Sequence, residues 1–205
     1  MDKQHKKNTE LDAIRELMER SSTCIGLSGL GGILAGVLAL VGASCAYYWI
    51  EDFKENVYAV KVLQQKLLLL AAAVFAGALF CVLFFSYRRS EKIQIPFWNS
   101  ATRRLFISIA VPFIAGSFIF LWALNNQFYF LLPAVSLIIY GMAIFCGSYY
   151  TTSESRYLAF AEMILGCVTI WQPAYGLLFL TTGFGVLHII YGVVIWFRYE
   201  RKDVR

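Results

Sequence analysis

The sequence predicts an all-α membrane protein: a bundle of six transmembrane helices with a short amphipathic helix before the first. Three observations carry that prediction. Of the 205 residues, 59% are hydrophobic and only 15% are charged, against roughly 45–50% apolar and 25% charged in soluble domains. The charges are also segregated: no Asp, Glu, Lys or Arg occurs in 21–50, 67–87 or 105–153, and between Tyr157 and Phe197 the only one is Glu162. About twenty consecutive apolar residues suffice to cross the hydrocarbon core of a bilayer. Finally, the five tryptophans (Trp49, Trp98, Trp122, Trp171 and Trp196) all fall at or beside an expected span end, where indole rings settle at the membrane–water boundary. A disordered chain, a disulfide scaffold and an ordinary soluble enzyme are excluded.

Residues 1–22 are polar. Thr9-Glu10-Leu11-Asp12 resembles a capping box with Asp in place of Glu. Leu11, Ile14, Leu17 and Met18 then recur at helical spacing, while Glu16 and Arg20 pair at i,i+4 away from that stripe. The expectation is a cytoplasmic amphipathic segment lying on the membrane or docked on a partner; the alternative is an extension of the first span. Its five acidic residues (Asp2, Glu10, Asp12, Glu16, Glu19) do not suit a short basic leader, so the apolar run that follows reads as a retained span.

The membrane domain is expected over residues 23–198, with a cytoplasmic tail at 199–205. The first span covers roughly 25–49 and the second roughly 67–87. The charge-free stretch 105–153 has 49 residues; as one helix it would be about 73 Å long, more than twice the hydrocarbon thickness. Asn125-Asn126-Gln127 near its middle divides it into two spans. Gln172-Pro173 divides the last run in the same way, because proline disrupts a helix interior.

Fifteen of the eighteen Lys and Arg residues fall in 1–22, 88–104, 151–156 and 198–205; only Lys54, Lys61 and Lys66 fall in 50–66. By the positive-inside rule both termini are cytoplasmic. The same distribution accounts for the net charge of +5 and the pI near 9.0, so the lipid bilayer is the expected partner and nucleic acid is not.

The chemistry-bearing residues are few. The five cysteines (Cys24, Cys45, Cys81, Cys146, Cys167) lie in or beside apolar runs without C-x-x-C or zinc spacing, and read as packing residues rather than disulfides or metal ligands. No H-E-x-x-H, G-x-S-x-G or phosphate-binding glycine loop is present. The expectation is a protein that is not an enzyme and carries no cofactor. The first span holds Gly26, Gly29, Gly31, Gly32 and Gly36, and the second repeats small residues at Ala73, Gly77 and Cys81. Gly32, Gly36 and Gly77 are candidate helix-packing positions, within the bundle or in a homo-oligomer. Glu162 and His188 lie inside spans, where ionisable groups are costly and face the bundle interior or water. They form a candidate intramembrane polar site, with Arg156 as a group toward which Glu162 could snorkel instead. A structural hydrogen-bonded pair is the other reading.

Leu11 to Ala43 reads LDAIRELMERSSTCIGLSGLGGILAGVLALVGA. In its join of an amphipathic helix to a glycine-rich first span it resembles a family of uncharacterised six-span inner-membrane proteins of Bacteroidota. The resemblance implies a bacterial inner membrane and a regulatory or envelope-related role. Two functions follow as expectations. One is a membrane-embedded interaction or regulatory protein whose N-terminal helix and basic segment 88–104 meet a cytoplasmic partner or anionic lipid. The alternative is a small proton-coupled transporter or permease using Glu162 and His188. The orientation is tested directly: a cysteine placed in 50–60 is expected to react with an impermeant thiol reagent in intact cells, and reaction only after permeabilisation refutes it.

Overall fold

The computed structural model describes residues 28–53, 60–94 and 96–201; the expected amphipathic helix of residues 1–22 lies outside them. Among the described residues every regular element is helical. In chain order these are α1 (Gly29–Phe53), α2 (Val60–Lys92), α3 (Ser100–Asn125), α4 (Tyr129–Tyr150), α5 (Glu154–Trp171) and α6 (Pro173–Glu200). All but α5 are long and apolar enough to cross a membrane. The α5 helix has 18 residues and carries Glu154, Arg156 and Glu162.

Breaks in the chain fall where the polar residues sit. Asn99 starts α3 by accepting the Thr102 amide at 2.8 Å and its hydroxyl at 3.1 Å, a side-chain cap for an otherwise orphaned donor. The α3–α4 turn uses Asn126 and Gln127, the latter with φ of 62°. Gln172 separates α5 from α6, and Pro173 opens α6 at a position where its missing N–H costs nothing. The expected loop 50–66 is helical over 50–53 and 60–66, because Glu51, Lys61 and the glutamines are solvated helix formers and no Gly or Pro interrupts the chain there. For the same reason α2 continues past Tyr87 to Lys92.

Most sequence neighbours, α2 and α3 excepted, pack as antiparallel hairpins. Ser28 meets Ser86, and Gly42 meets Val74, along α1 and α2. Gly116 meets Ile139, and Gly147 meets Ile109, along α3 and α4. Gly141 meets Met163, and Gly166 meets Ile138, along α4 and α5. The chain ends also close on each other: Gly29 meets Gly192 and Trp196, and Gly36 meets Gly185 and Ile189, so α1 lies antiparallel to α6. The α1–α6 approach is at backbone distance. A Cβ at Gly192 would stand 2.6 Å from both Gly29 O and Ile33 N. Small residues permit such approach where hydrocarbon surroundings offer no hydrophobic drive to association. The outer surface is correspondingly apolar, with Leu69, Phe80, Ile114, Phe118, Ile164 and Leu178 all exposed.

The two ends of the bundle differ in charge. Arg88, Arg89, Arg103, Arg104, Arg156, Arg198 and Arg201 gather at one, and Lys61 and Lys66 mark the other. The arginine-bearing end is cross-linked by two glutamates. Glu200 Oε1 accepts the Gly29 amide at 2.7 Å and lies 3.6 Å from Arg89 Nη1, joining α6 to α1 and α2. Glu154, buried at the start of α5, takes Arg198 Nη1 at 2.5 Å and the Tyr199 hydroxyl at 3.1 Å. Charge-assisted bonds of this kind are the stronger hydrogen bonds, and Glu200 at the α1 N-terminus also faces the positive end of a helix dipole.

The glycines separate into two kinds. A Cβ at Gly36 would lie 2.7 Å from the Gly185 carbonyl oxygen and from Ile189 Cγ1, whereas one at Gly77 would meet Leu38 Cδ1 at an ordinary 3.5 Å. Gly36→Leu is therefore expected to cost about 1–3 kcal/mol, as overpacking does. Gly77→Ala is expected to be neutral or to gain up to about 1 kcal/mol of helix propensity. Thermal unfolding in detergent reads both; equal melting temperatures for the two variants would refute the α1–α6 contact.

Candidate functional site: a buried carboxyl, imidazole and phenol

Glu162 lies at mid-length on α5. Ser155 precedes it by seven residues and Thr169 follows by seven, so all three share one helix face. That face is enclosed: Ser155 is 4% exposed and Glu162 and Thr169 are 0% exposed. It is turned toward α6, because Ser155 bonds Tyr191, Glu162 abuts Gly183, and Thr169 abuts Gly176.

Opposite Glu162 the α6 helix widens into a π segment over Thr181–Leu187 and resumes α geometry at His188. Such segments are rare and frequent at functional sites. Here the widening is matched by a side chain: His188 Nδ1 lies 3.0 Å from the Gly183 carbonyl oxygen, which fixes Nδ1 as a donor. The other ring nitrogen, Nε2, lies 2.5 Å from the Tyr140 hydroxyl on α4. With Nδ1 donating, Nε2 of a neutral ring accepts from the phenol. The Tyr140 ring also packs edge-on against Phe184, with centroids 5.0 Å apart.

Glu162 Oε1 is 3.4 Å from His188 Nδ1, but that hydrogen is directed at Gly183, and neither carboxyl oxygen has a hydrogen-bond partner. The surroundings explain why the carboxyl is held there regardless. Gly183 has no side chain, and a Cβ on it would come within 2.5 Å of Glu162 Oε2 and 2.6 Å of Leu137 Cδ2. Leu137 and Ala159 are themselves fully enclosed. The carboxyl fills the space a larger residue at 183 would occupy.

Of the three polar-site residues expected from sequence, the structure brings Glu162 and His188 together and leaves Arg156 apart. Arg156 is exposed, and its guanidinium lies over the Tyr149 ring, 5.5 Å from the centroid. A separation of six residues turns it about 120° around α5 from Glu162. Tyr140 is the member that sequence reasoning missed. Its signal was depth: it lies midway along α4, whereas aromatic residues that mark a boundary lie at span ends. Among the described residues no group of three or more His, Cys, Asp or Glu side chains converges as a metal site would require.

A carboxyl and an imidazole this close can hold one exchangeable proton between them. With it the pair is neutral overall; without it the pair carries a net negative charge in an interior where, among the described residues, no polar hydrogen is aimed at the carboxyl. The packing makes a double-mutant cycle informative. Gly183→Ala alone is expected to destabilise the protein, and less so when Glu162 is already Ala, giving a coupling of about 0.5–3 kcal/mol, the range for residues in contact. Additive losses in thermal unfolding would show that the two do not touch. Comparison with protein families, characterised proteins and solved structures finds no match to this chain, so the geometry of this cluster carries the functional reading.

Proposed function

We propose that this chain is a six-span membrane protein in which the Glu162–His188 pair takes up and releases a proton, and that its activity is proton-coupled transport. The observation that carries the reading is the enclosed carboxyl: Glu162 is fully buried in the middle of α5, lacks a hydrogen-bond partner, and faces the π segment of α6 beside His188. Ionisable groups placed so deep mark proton relays and substrate paths, and interrupted helices at mid-depth are the places where transporters bind coupling ions.

The neighbours of α5 support six spans rather than five. It lies antiparallel to α4 from Gly141–Met163 to Ile138–Gly166, and to α6 from Glu154–Arg198 to Thr169–Gly176. A helix flanked along its length by two spans shares their depth, and its 18 residues rise about 27 Å, close to the hydrocarbon thickness. An even number of spans would return both termini to one side, and the arginine-rich end supports a cytoplasmic placement of that side. The resemblance of Leu11–Ala43 to the Bacteroidota proteins supports a bacterial inner membrane. The expected N-terminal helix, on which the interaction-protein reading rests, lies outside the described residues.

The coupling is electrostatic. Loss of the shared proton leaves a net charge in a dry interface, a penalty of several kcal/mol after relaxation. Parting α5 from α6 at the glycine-lined contact admits water and removes that penalty. Protonation thereby selects the closed packing and deprotonation an opened one. In proteoliposomes under an imposed pH gradient, the wild-type protein is expected to acidify or alkalinise the lumen, and Glu162→Gln to reduce the flux to that of empty vesicles. Wild-type flux no greater than that of empty vesicles overturns the reading.

A further inference from the structure

Of the seven arginines among the described residues, five are engaged within the bundle. Arg198 pairs with Glu154, and Arg89 lies beside Glu200. Arg88, Arg156 and Arg201 lie over the rings of Phe84, Tyr149 and Phe197. Arg103 and Arg104, consecutive near the start of α3, are exposed and meet neither a carboxylate nor an aromatic ring among the described residues. The neighbouring sequence offers them no counter-charge, because no Asp or Glu occurs in 92–153. Their side chains instead line an open groove of about 560 Å³, together with Trp98, Asn99, Ser100 and Ile107.

The groove is amphiphilic along its length. Leu105 marks the side of α3 that packs on α4, against Gly147; Ile107 lies about 200° around the helix from it, so the groove opens outward. Ser100, Arg103, Arg104 and Ile107 follow at steps of three and four residues, and the exposed Val111, Ile114 and Phe118 extend the same stripe. From Ile107 to Phe118 the helix rises about 16 Å, half of the roughly 30 Å hydrocarbon core. Trp98, 67% exposed with its ring 5.8 Å from Phe106, stands at the polar end, where indoles settle at the membrane boundary. We propose that this groove binds an acidic glycerophospholipid, with its phosphate on Arg103 and Arg104 and an acyl chain along Ile107, Val111, Ile114 and Phe118. Guanidinium forks match phosphate oxygens in charge and geometry, and a headgroup with no cation of its own leaves the phosphate charge to the arginines. An acidic protein would meet the arginines but not the apolar stripe, which continues into the hydrocarbon.

The test uses the full chain in phosphatidylcholine vesicles that carry a small fixed fraction of lipid brominated on the acyl chain, either phosphatidylglycerol or phosphatidylcholine. Bromine quenches indole fluorescence on contact, and the difference between wild type and Trp98→Phe isolates Trp98. An arginine near an anionic lipid is worth about fivefold in occupancy. Brominated phosphatidylglycerol is therefore expected to be enriched beside Trp98 by about 25-fold over brominated phosphatidylcholine. Arg103→Gln and Arg104→Gln are each expected to leave about a fivefold enrichment, and the double variant none. Arg156→Gln, at the same end but over Tyr149, is expected to retain the wild-type value. Equal quenching by the two lipids leaves the arginines to an aqueous acidic partner and overturns the lipid site, as does an enrichment that survives the double variant. Loss of the enrichment to inorganic phosphate at matched ionic strength assigns the arginines to a free anion and overturns the lipid.

Discussion

The close approach of α6 to its neighbours is the constraint on which the rest of this structure depends. In hydrocarbon, helices gain little from burying apolar side chains against each other, so association rests on van der Waals packing and on polar groups shared between helices. Here α6 uses glycine for both. Gly176 and Gly183, seven residues apart, face α4 and α5; Gly185 and Gly192, also seven apart, face α1. Residues 183 and 185 lie on opposite sides of a helix. Two glycine rows thus let one helix be approached from two directions at once, and the carboxyl of Glu162 occupies space that any side chain at 183 would take.

That arrangement explains why the polar cluster needs no cavity. The same absence of a Cβ that brings the backbones together exposes the Gly183 carbonyl to the His188 ring, at 3.0 Å. The widened π segment of α6 accommodates the ring in place of a regular helical turn. Tyr140 then holds the far side of the imidazole from α4. Three helices therefore converge on one histidine, and the carboxyl is left as the single group of the cluster whose hydrogen-bonding capacity is unspent. Polar networks in low dielectric are rigid when complete and costly when incomplete; this one is complete around the imidazole and incomplete at the acid.

Much of the fold was legible in the sequence because it follows from what a bilayer excludes. Charge-free runs gave the spans, and Asn126, Gln127 and Gln172-Pro173 gave the two tight turns, since each supplies a local backbone alternative to a helix. The helix ends beyond Trp49 and Tyr87 were not legible: solvated charged residues continue a helix as readily as they leave one. Which helix each glycine faces was also hidden, because every side of a fully apolar span looks alike; only Gly29, Gly32 and Gly36 against α6, and Gly31 and Gly42 against α2, reveal the division. Glu162 and His188 stood out as ionisable groups in apolar runs. Tyr140, Ser155 and Tyr191 did not, because hydroxyl residues are common in spans and their significance lies in contacts between α4, α5 and α6. The Glu154–Arg198 and Glu200–Gly29 links join residues 44 and 171 positions apart, a separation no local pattern encodes.

Those two glutamates also set where the bundle is free to move. Glu154 ties α5 to the last turn of α6, and Glu200 ties that turn to α1 and α2, so the arginine-bearing end is held by charge-assisted bonds across four helices. Among the described residues the opposite end of the same interface has no comparable fastening: Thr169 is bonded within its own helix, and a Cβ at Gly176 would meet Pro133 and Thr169 through apolar contact. One end is fastened by ion pairs and the other is held by close apolar packing. Separation of α5 from α6 is therefore easiest at Trp171 and Pro173, where no ion pair must break, and pivots about Glu154 and Arg198.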